Sequence, residues 1–337
     1  MKKYRIKQAF QWVLALTAGF LLVNALCMVY ERPAGWLDTE QGAATSVWRP
    51  GAVLIHGTEG YSISRVDENG YLNPTGTLEN RYVLMMGASH TQGKEVSPEQ
   101  RYSALVNDYF RSGSETLAVY NIACDGHFLP TQIRHFSAAV EAFPGAGVIT
   151  IEIGSTDFSP EELHGSLNQV KYGPEDTARR FASLGTVGKL KLAAKEGLPL
   201  LSLVKKNLET LRAGGVPDEG SASRWDGYEA EMDAALALIR SEFDGPIAFV
   251  YHPSVTLLPD GTMRLFYSDT WEIFCGLCEQ NGIDVIDTGP RFLACYEGEH
   301  RLPYGFANTA PGSGHLNAVG HRIVAEEIIS YLEELRV

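Results

Sequence analysis

The chain has little positive charge for its size. Its 337 residues hold 28 Lys and Arg against 41 Asp and Glu, a formal charge of −13. Nucleic-acid binding rests on cations meeting phosphates, and no basic, aromatic-interleaved stretch stands beyond residue 30. A nucleic-acid partner is excluded. Cysteine is sparse too, five in all. Cys275 and Cys278 stand at the spacing of a redox or metal pair, yet they share a helical pattern with Trp271 and Phe274, and no second Cys/His pair follows at zinc-site spacing. They read as buried structural thiols, with no metal expected. Cys124 and Cys295 are the other pair that a fold can bring together. Internal repeats and low-complexity tracts are absent. With 45% hydrophobic and 20% charged residues, a sizeable packed core is expected and wholesale disorder is not.

One long hydrophobic run is present, at the N-terminus. Lys2, Lys3, Arg5 and Lys7 precede an almost uncharged stretch from Ala9 to Tyr30, about the ~20 residues a helix needs to cross a bilayer. A cleaved signal has a shorter apolar core and a small-x-small exit, which Asn24-Ala-Leu-Cys27 does not supply. An uncleaved anchor is therefore expected, with the four cations cytoplasmic and the remainder extracellular at the cell membrane. Residues 1–30 form this tip and anchor. Residues 31–78, with scattered Pro, Gly and Trp and a turn signal at Asp67-Glu-Asn-Gly-Tyr71, read as a stalk or small β-rich lead-in.

From residue 79 to 337 the pattern changes. Five apolar runs of strand length appear at Tyr82–Met86, Leu117–Ile122, Val148–Ile153, Ile247–Tyr251 and Asp284–Ile286. Helical patterns lie between them, at Glu99–Phe110, Gln132–Ala142, Trp225–Phe243 and Trp271–Gln280, with a last one from about Ala318 to Leu335. Buried strands alternating with helices imply a parallel sheet covered on both faces. Right-handed crossovers then give a three-layer α/β/α, doubly wound (flavodoxin-like) domain of about five strands. Residues at about 160–224 interrupt the rhythm with a Lys- and Leu-rich helical stretch (Lys189–Leu211) and then Gly214, Gly215, Pro217 and Gly220, an expected insertion after the third strand.

Ligands of such sheets bind beyond the carboxyl ends of the strands. The first strand runs into Gly87-Ala-Ser89-His-Thr91-Gln-Gly93, where a hydroxyl at a glycine-bounded turn can face the crevice. The turn lacks the second glycine of a Gly-x-Ser-x-Gly elbow, since position 91 is Thr. The second strand ends in Asn121-Ile-Ala-Cys-Asp-Gly126-His, the third in Gly154-Ser-Thr-Asp157. Near the C-terminus, Gly312-Ser-Gly-His315-Leu-Asn317 places a His in a mobile loop before a helix-capping Asn. Taken singly, such a stretch is more often an ordinary turn or a surface residue.

Together, in this order, the four segments resemble the SGNH hydrolases, also called GDSL esterases and lipases, over residues 80–335. The resemblance implies Ser89 as nucleophile and His315 as its base. It implies oxyanion contacts from Ser89, Gly126 and Thr156, and no cofactor. Three positions depart from the family's pattern. Ala88 stands for its first-block Asp, Thr156 for its Asn, and Gly312 for the Asp three residues before the His. Loss of an orienting carboxylate costs orders of magnitude in rate, so weak activity is expected unless a carbonyl, a water or a carboxylate from another loop faces His315. His90, Asp157 and His252 are further pocket candidates, with His90 expected to point away from the nucleophile.

The function implied is ester hydrolysis on an O-acyl group of a small ester or of a surface or extracellular glycan. Two alternatives stand beside it: acyl transfer to a surface polymer, and a non-catalytic glycan-binding or scaffold protein on a degenerate version of the fold.

Overall fold

The computed structural model describes residues 2–37, 45–74, 78, 81–112, 117–171, 177–212 and 225–336. Gly214, Gly215, Pro217 and Gly220 of the insertion lie outside the described residues.

Five parallel strands make the central sheet: β1 (Tyr82–Met86), β2 (Ala118–Asn121), β3 (Ala146–Ile153), β4 (Ile247–Tyr251) and β5 (Asp284–Asp287). Their order is β5-β4-β3-β1-β2. It is the flavodoxin-like doubly wound order, with the chain switching sides between β1 and β3. The strands alternate their side chains between two cores, as the pleat requires. Leu84, Met86, Ile151 and Phe249 face one layer, with Phe136, Met232 and Phe274 from its helices. Val83, Met85, Ala248 and Val250 face the other, with Tyr102, Phe292, Ile323 and Ile328. Both layers are buried, so truncating a residue such as Ile151 to Ala would cost about 2–5 kcal/mol.

The helices relevant below are α1 (Lys2–Tyr30), α2 (Thr186–Gly197), α3 (Pro199–Arg212) and α4 (Ala318–Glu334). Helix α1 is long and apolar enough to cross a membrane over Tyr4–Tyr30. The described part of the insertion after β3 holds helices joined by short non-helical links, and α2 and α3 are its longest elements. Two features were not legible in the sequence pattern: a helix at Gly289–Glu299 after β5, and a hairpin pairing Ser254–Leu257 with Met263–Phe266 after β4.

The segment before β1 is bound to the domain. A hairpin pairs Val53–His56 with Ser62–Arg65, and its loop, Gly57 to Tyr61, reaches the carboxyl edge of the sheet. Asn308 fixes that loop, accepting from Gly60 N–H at 2.9 Å and donating to Gly57 O at 2.9 Å. Farther on, the buried Asp67 accepts from Tyr120 OH on β2 at 2.8 Å. Among the described residues no two cysteines are joined in a disulfide. Cys278 is buried in the core layer and Cys275 packs against it.

Candidate active site

Ser89 opens a one-turn helix, Ser89–Gln92, at the carboxyl end of β1. Gly87 makes the turn possible. A Cβ there would lie 1.9 Å from Thr91 Oγ1 and 2.8 Å from Glu152 Oε2. His315 lies in the loop before α4, whose first turn is capped by the Asn317 side chain accepting from Val319 and Gly320 N–H. The parallel sheet brings both loops to one edge, and Ser89 Oγ stands 2.9 Å from His315 Nε2.

The other ring nitrogen is met by a residue that sequence reasoning did not single out. His315 Nδ1 donates to Glu59 Oε2 at 2.6 Å, and the His315 backbone N–H donates to Glu59 Oε1 at 2.7 Å. Glu59 comes from the tip of the Val53–Arg65 hairpin. The approach needs Gly314, which has a positive φ of 84°; a Cβ there would stand 2.2 Å from Glu59 Oε1. A carboxylate from another loop therefore faces His315, where position 312 itself is Gly. Burial alone would lower the His315 pKa, but the hydrogen bond to Glu59 and the nearby Glu95 charge outweigh it, and it is raised above the ordinary imidazole value. Glu59 is lowered: burial pushes its pKa up, and the two bonds from His315 more than offset that.

Glu95 is the second acid at the base. It is buried, with neither carboxyl oxygen in a hydrogen bond among the described residues. Its Oε1 stands 3.8 Å from His315 Nε2, 3.9 Å from His56 Nε2 and 4.0 Å from Lys94 Nζ.

Under the nucleophile turn lies another Glu–His pair. Glu152, next to last in β3, accepts from His252 Nε2 at 2.5 Å through Oε1. Its Oε2 accepts from Ala88 N–H at 2.8 Å and from the Thr91 hydroxyl at 2.9 Å. Burial raises the Glu152 pKa, but His252 and the backbone donor dominate and hold it down to about 2. His252 Nδ1 is 2.9 Å from the Tyr304 hydroxyl.

The remaining sequence candidates separate. His90 points into the site, correcting the expectation that it turns away. Its ring packs 4.4 Å from that of His252 and 5.1 Å from that of His315, and its Nδ1 accepts from Leu316 N–H at 3.2 Å. Burial and the neighbouring His252 hold its pKa well below the usual value. Gly126 occupies an exposed turn beyond β2 with φ 81°, a conformation that favours glycine, and has open space around it. Thr156 does not reach the site. It is fully buried, its hydroxyl is 2.8 Å from that of Thr270, and its N–H donates to Ser268 Oγ at 2.9 Å. Asp157 likewise turns away, accepting from the N–H groups of Asp269 and Thr270 at 3.1 and 3.0 Å. Gly154 and Ser155 line the cavity at that strand end instead.

That cavity has a volume of about 410 Å³. Ser89, His90 and His252 form its floor, and Phe128, Leu129, Ile153 and Val255 supply apolar wall. The Gln132 carbonyl oxygen is buried and without a hydrogen bond among the described residues. No cluster of three or more His, Cys, Asp or Glu able to hold a metal occurs among them.

Of the missed residues, Glu152 had a signal. It is the lone carboxylate in Val148-Ile-Thr-Ile-Glu-Ile153, and a charge in a buried strand demands a partner. Glu59 had none, because nothing local ties a hairpin tip to a loop 256 residues later.

No family model and no curated protein matches the chain. Solved structures do resemble it. A psychrotrophic esterase from Pseudoalteromonas is 11% identical, covering 76% of this chain and 98% of that one, with a TM-score of 0.41. A lipase/acylhydrolase from Enterococcus faecalis is 14% identical, covering 75% and 96%, with a TM-score of 0.42. A member of the lipolytic G-D-S-L family from Veillonella parvula is 15% identical, covering 74% and 97%, with a TM-score of 0.36.

Proposed function

We propose that the chain is a serine esterase of the SGNH kind, in which Glu59, His315 and Ser89 act as a triad. The observation that carries this reading is the continuous chain from Glu59 Oε2 through His315 to Ser89 Oγ, at 2.6 and 2.9 Å. A carboxylate on Nδ1 fixes the tautomer that leaves Nε2 free to accept a proton, and it stabilises the imidazolium that forms. The weak activity expected from the missing Asp does not follow once Glu59 holds that place.

In the reaction, Ser89 Oγ adds to an ester carbonyl while its proton passes to His315 Nε2. The C–O bond to the alcohol then breaks, and Nε2–H protonates the departing oxygen. Water, deprotonated by the same nitrogen, attacks the acyl-serine, releasing the acid and restoring the hydroxyl. The developing oxyanion falls to the Ser89 N–H, and the family resemblance implies the Gly126 N–H as a second donor. The apolar wall suits a short acyl group, and Ser155, Ser254 and Ser313 in the same lining suit hydroxyls of the alcohol. We favour an O-acylated carbohydrate on these grounds. Hydrolysis of p-nitrophenyl acetate by the full chain tests the reading. Ser89→Ala should reduce kcat by about 10⁶ and abolish labelling by a fluorophosphonate. Equal turnover in the variant refutes it.

The four N-terminal cations favour a cytoplasmic tip, a reading that sends the domain to the extracellular side. Protease added to intact cells should remove it, and protection would reverse that topology.

A further inference from the structure

Helices α2 and α3 of the insertion have no part in the site, yet they are tied to α1 at an unusual point. Asn24 is a polar side chain inside the apolar run. Its amide donates to Gly197 O at 2.6 Å, and its carbonyl oxygen accepts from Leu200 N–H at 3.2 Å. These are the last turn of α2 and the first turn of α3, whose backbone groups have no helical partner of their own. Asn24 is buried there, while most of α1 around it is exposed. A polar group at membrane depth must be satisfied within the protein, and here the junction between two helices satisfies it.

Depth follows from helix geometry. Asn24 precedes Tyr30 by six residues, about 9 Å along the axis. This matches the ~5–10 Å to which interfacial helices sink their apolar face. The exposed surface of the helix pair fits that depth. Leu201, Val204 and Leu208, spaced i, i+3, i+7 on α3, are 53%, 50% and 49% exposed, and that spacing forms one stripe. Val187 and Leu190 on α2 are exposed also. Charge agrees. Residues 186–212 hold six cations (Lys189, Lys191, Lys195, Lys205, Lys206, Arg212) and two anions (Glu196, Glu209), a net +4 in a chain of −13. Lys side chains lay their stems on apolar surface and reach toward headgroups.

We propose that α2 and α3 lie in the lipid interface of the leaflet holding the C-terminal end of α1, with Leu201, Val204 and Leu208 in the acyl boundary and the exposed Lys189 and Lys191 among anionic headgroups. The domain would then be pinned to the membrane at a second point, with its tilt fixed. This rests on α1 spanning the bilayer.

The test uses the full chain, with its five cysteines replaced, in nanodiscs of phosphatidylcholine and phosphatidylglycerol. A fluorophore is placed singly at Val204→Cys, at Val29→Cys in α1, or at Leu257→Cys on the distant hairpin, and quenched by lipid carrying a nitroxide near the headgroup. Val204→Cys should be quenched nearly as strongly as Val29→Cys and several-fold more than Leu257→Cys. Quenching at position 204 equal to that at 257 overturns the proposal while leaving α1 in place. Loss of quenching at position 29 overturns it together with the anchor. Adding Asn24→Leu should reduce quenching at 204 several-fold and spare position 29. No change there overturns the role assigned to Asn24.

Discussion

Two Glu–His pairs stand at the carboxyl edge of this sheet with almost the same contact length, and they do different things. Glu59 meets His315 at 2.6 Å, and Glu152 meets His252 at 2.5 Å. The first pair is 17% and 27% exposed, the second 2% and 3%. The partners beyond the pair differ as well. Both oxygens of Glu59 go to His315, whose free nitrogen faces the Ser89 hydroxyl. Glu152 divides its oxygens, one to His252 and one to the turn that carries Ser89, and the far nitrogen of His252 faces a buried tyrosine. On the proposed triad reading, one pair tunes a base at the edge of a cavity, while the other holds the turn from beneath. A short carboxylate–imidazole contact does not by itself mark catalysis. What the other nitrogen touches does.

The comparison breaks most sharply at Glu59. Glu59→Gln keeps the shape but removes the charge that holds the tautomer, so kcat should fall by about 10⁴ with little change in thermal stability. The pH dependence carries the sign. His315 must be neutral to act, and its pKa is raised, so wild-type activity should switch on above the ordinary value near 6.5. Without Glu59 the burial that opposes protonation is less resisted, and the acid limb should move to lower pH. A pH–rate profile of kcat/KM checks this, and an unmoved limb would remove Glu59 from the triad.

Glu152→Gln should do the reverse. Breaking a buried pair by removing one charge costs about 3–5 kcal/mol, and the loss should appear in urea unfolding before it appears in the pH profile of the surviving activity. The folded pKa of Glu152, about 2, lies below the unfolded value of about 4.3. Its contribution is therefore present above pH ~4 and is lost as pH falls toward 2. The variant should lack that acid-side decline. Unchanged unfolding would mean that the pair is not structural.

Much of this architecture was legible beforehand. Five β-branched or aromatic runs, each closed by turn chemistry, specify the strands, and parallel crossovers bring Ser89 and His315 to one edge. Bounds moved by a residue or two where hydrogen bonding rather than hydropathy ends a strand, as at Ala118–Asn121. Thr156 was misplaced because spacing from a strand end fixes backbone position and not side-chain direction, and Thr270 captured its hydroxyl. Glu59 was illegible for a deeper reason. Its role depends on a hairpin docking through Asn308 and on Gly314 leaving room, and neither contact has a local pattern.

Glu95 gives the smallest effect and the finest test of the comparison, because it is a carboxylate beside His315 without a hydrogen bond to it. At 3.8 Å from Nε2 it acts through charge alone, and His56 and Lys94 share that charge. Pairs of charges 4 Å apart interact by about 4 kcal/mol at an effective dielectric of 20, and sharing reduces what reaches His315. Glu95→Gln should therefore lower kcat by about tenfold or less, 1.4 kcal/mol being tenfold in rate. The acid limb should move down in pH, by less than in Glu59→Gln. Stability should behave unlike that of Glu152→Gln. A buried carboxylate without a hydrogen bond is itself costly, so its neutral amide should leave the melting temperature unchanged or raised. An upward shift of the acid limb, or a melting loss as large as that of Glu152→Gln, would show that Glu95 is a structural partner and not a distant tuner of the base.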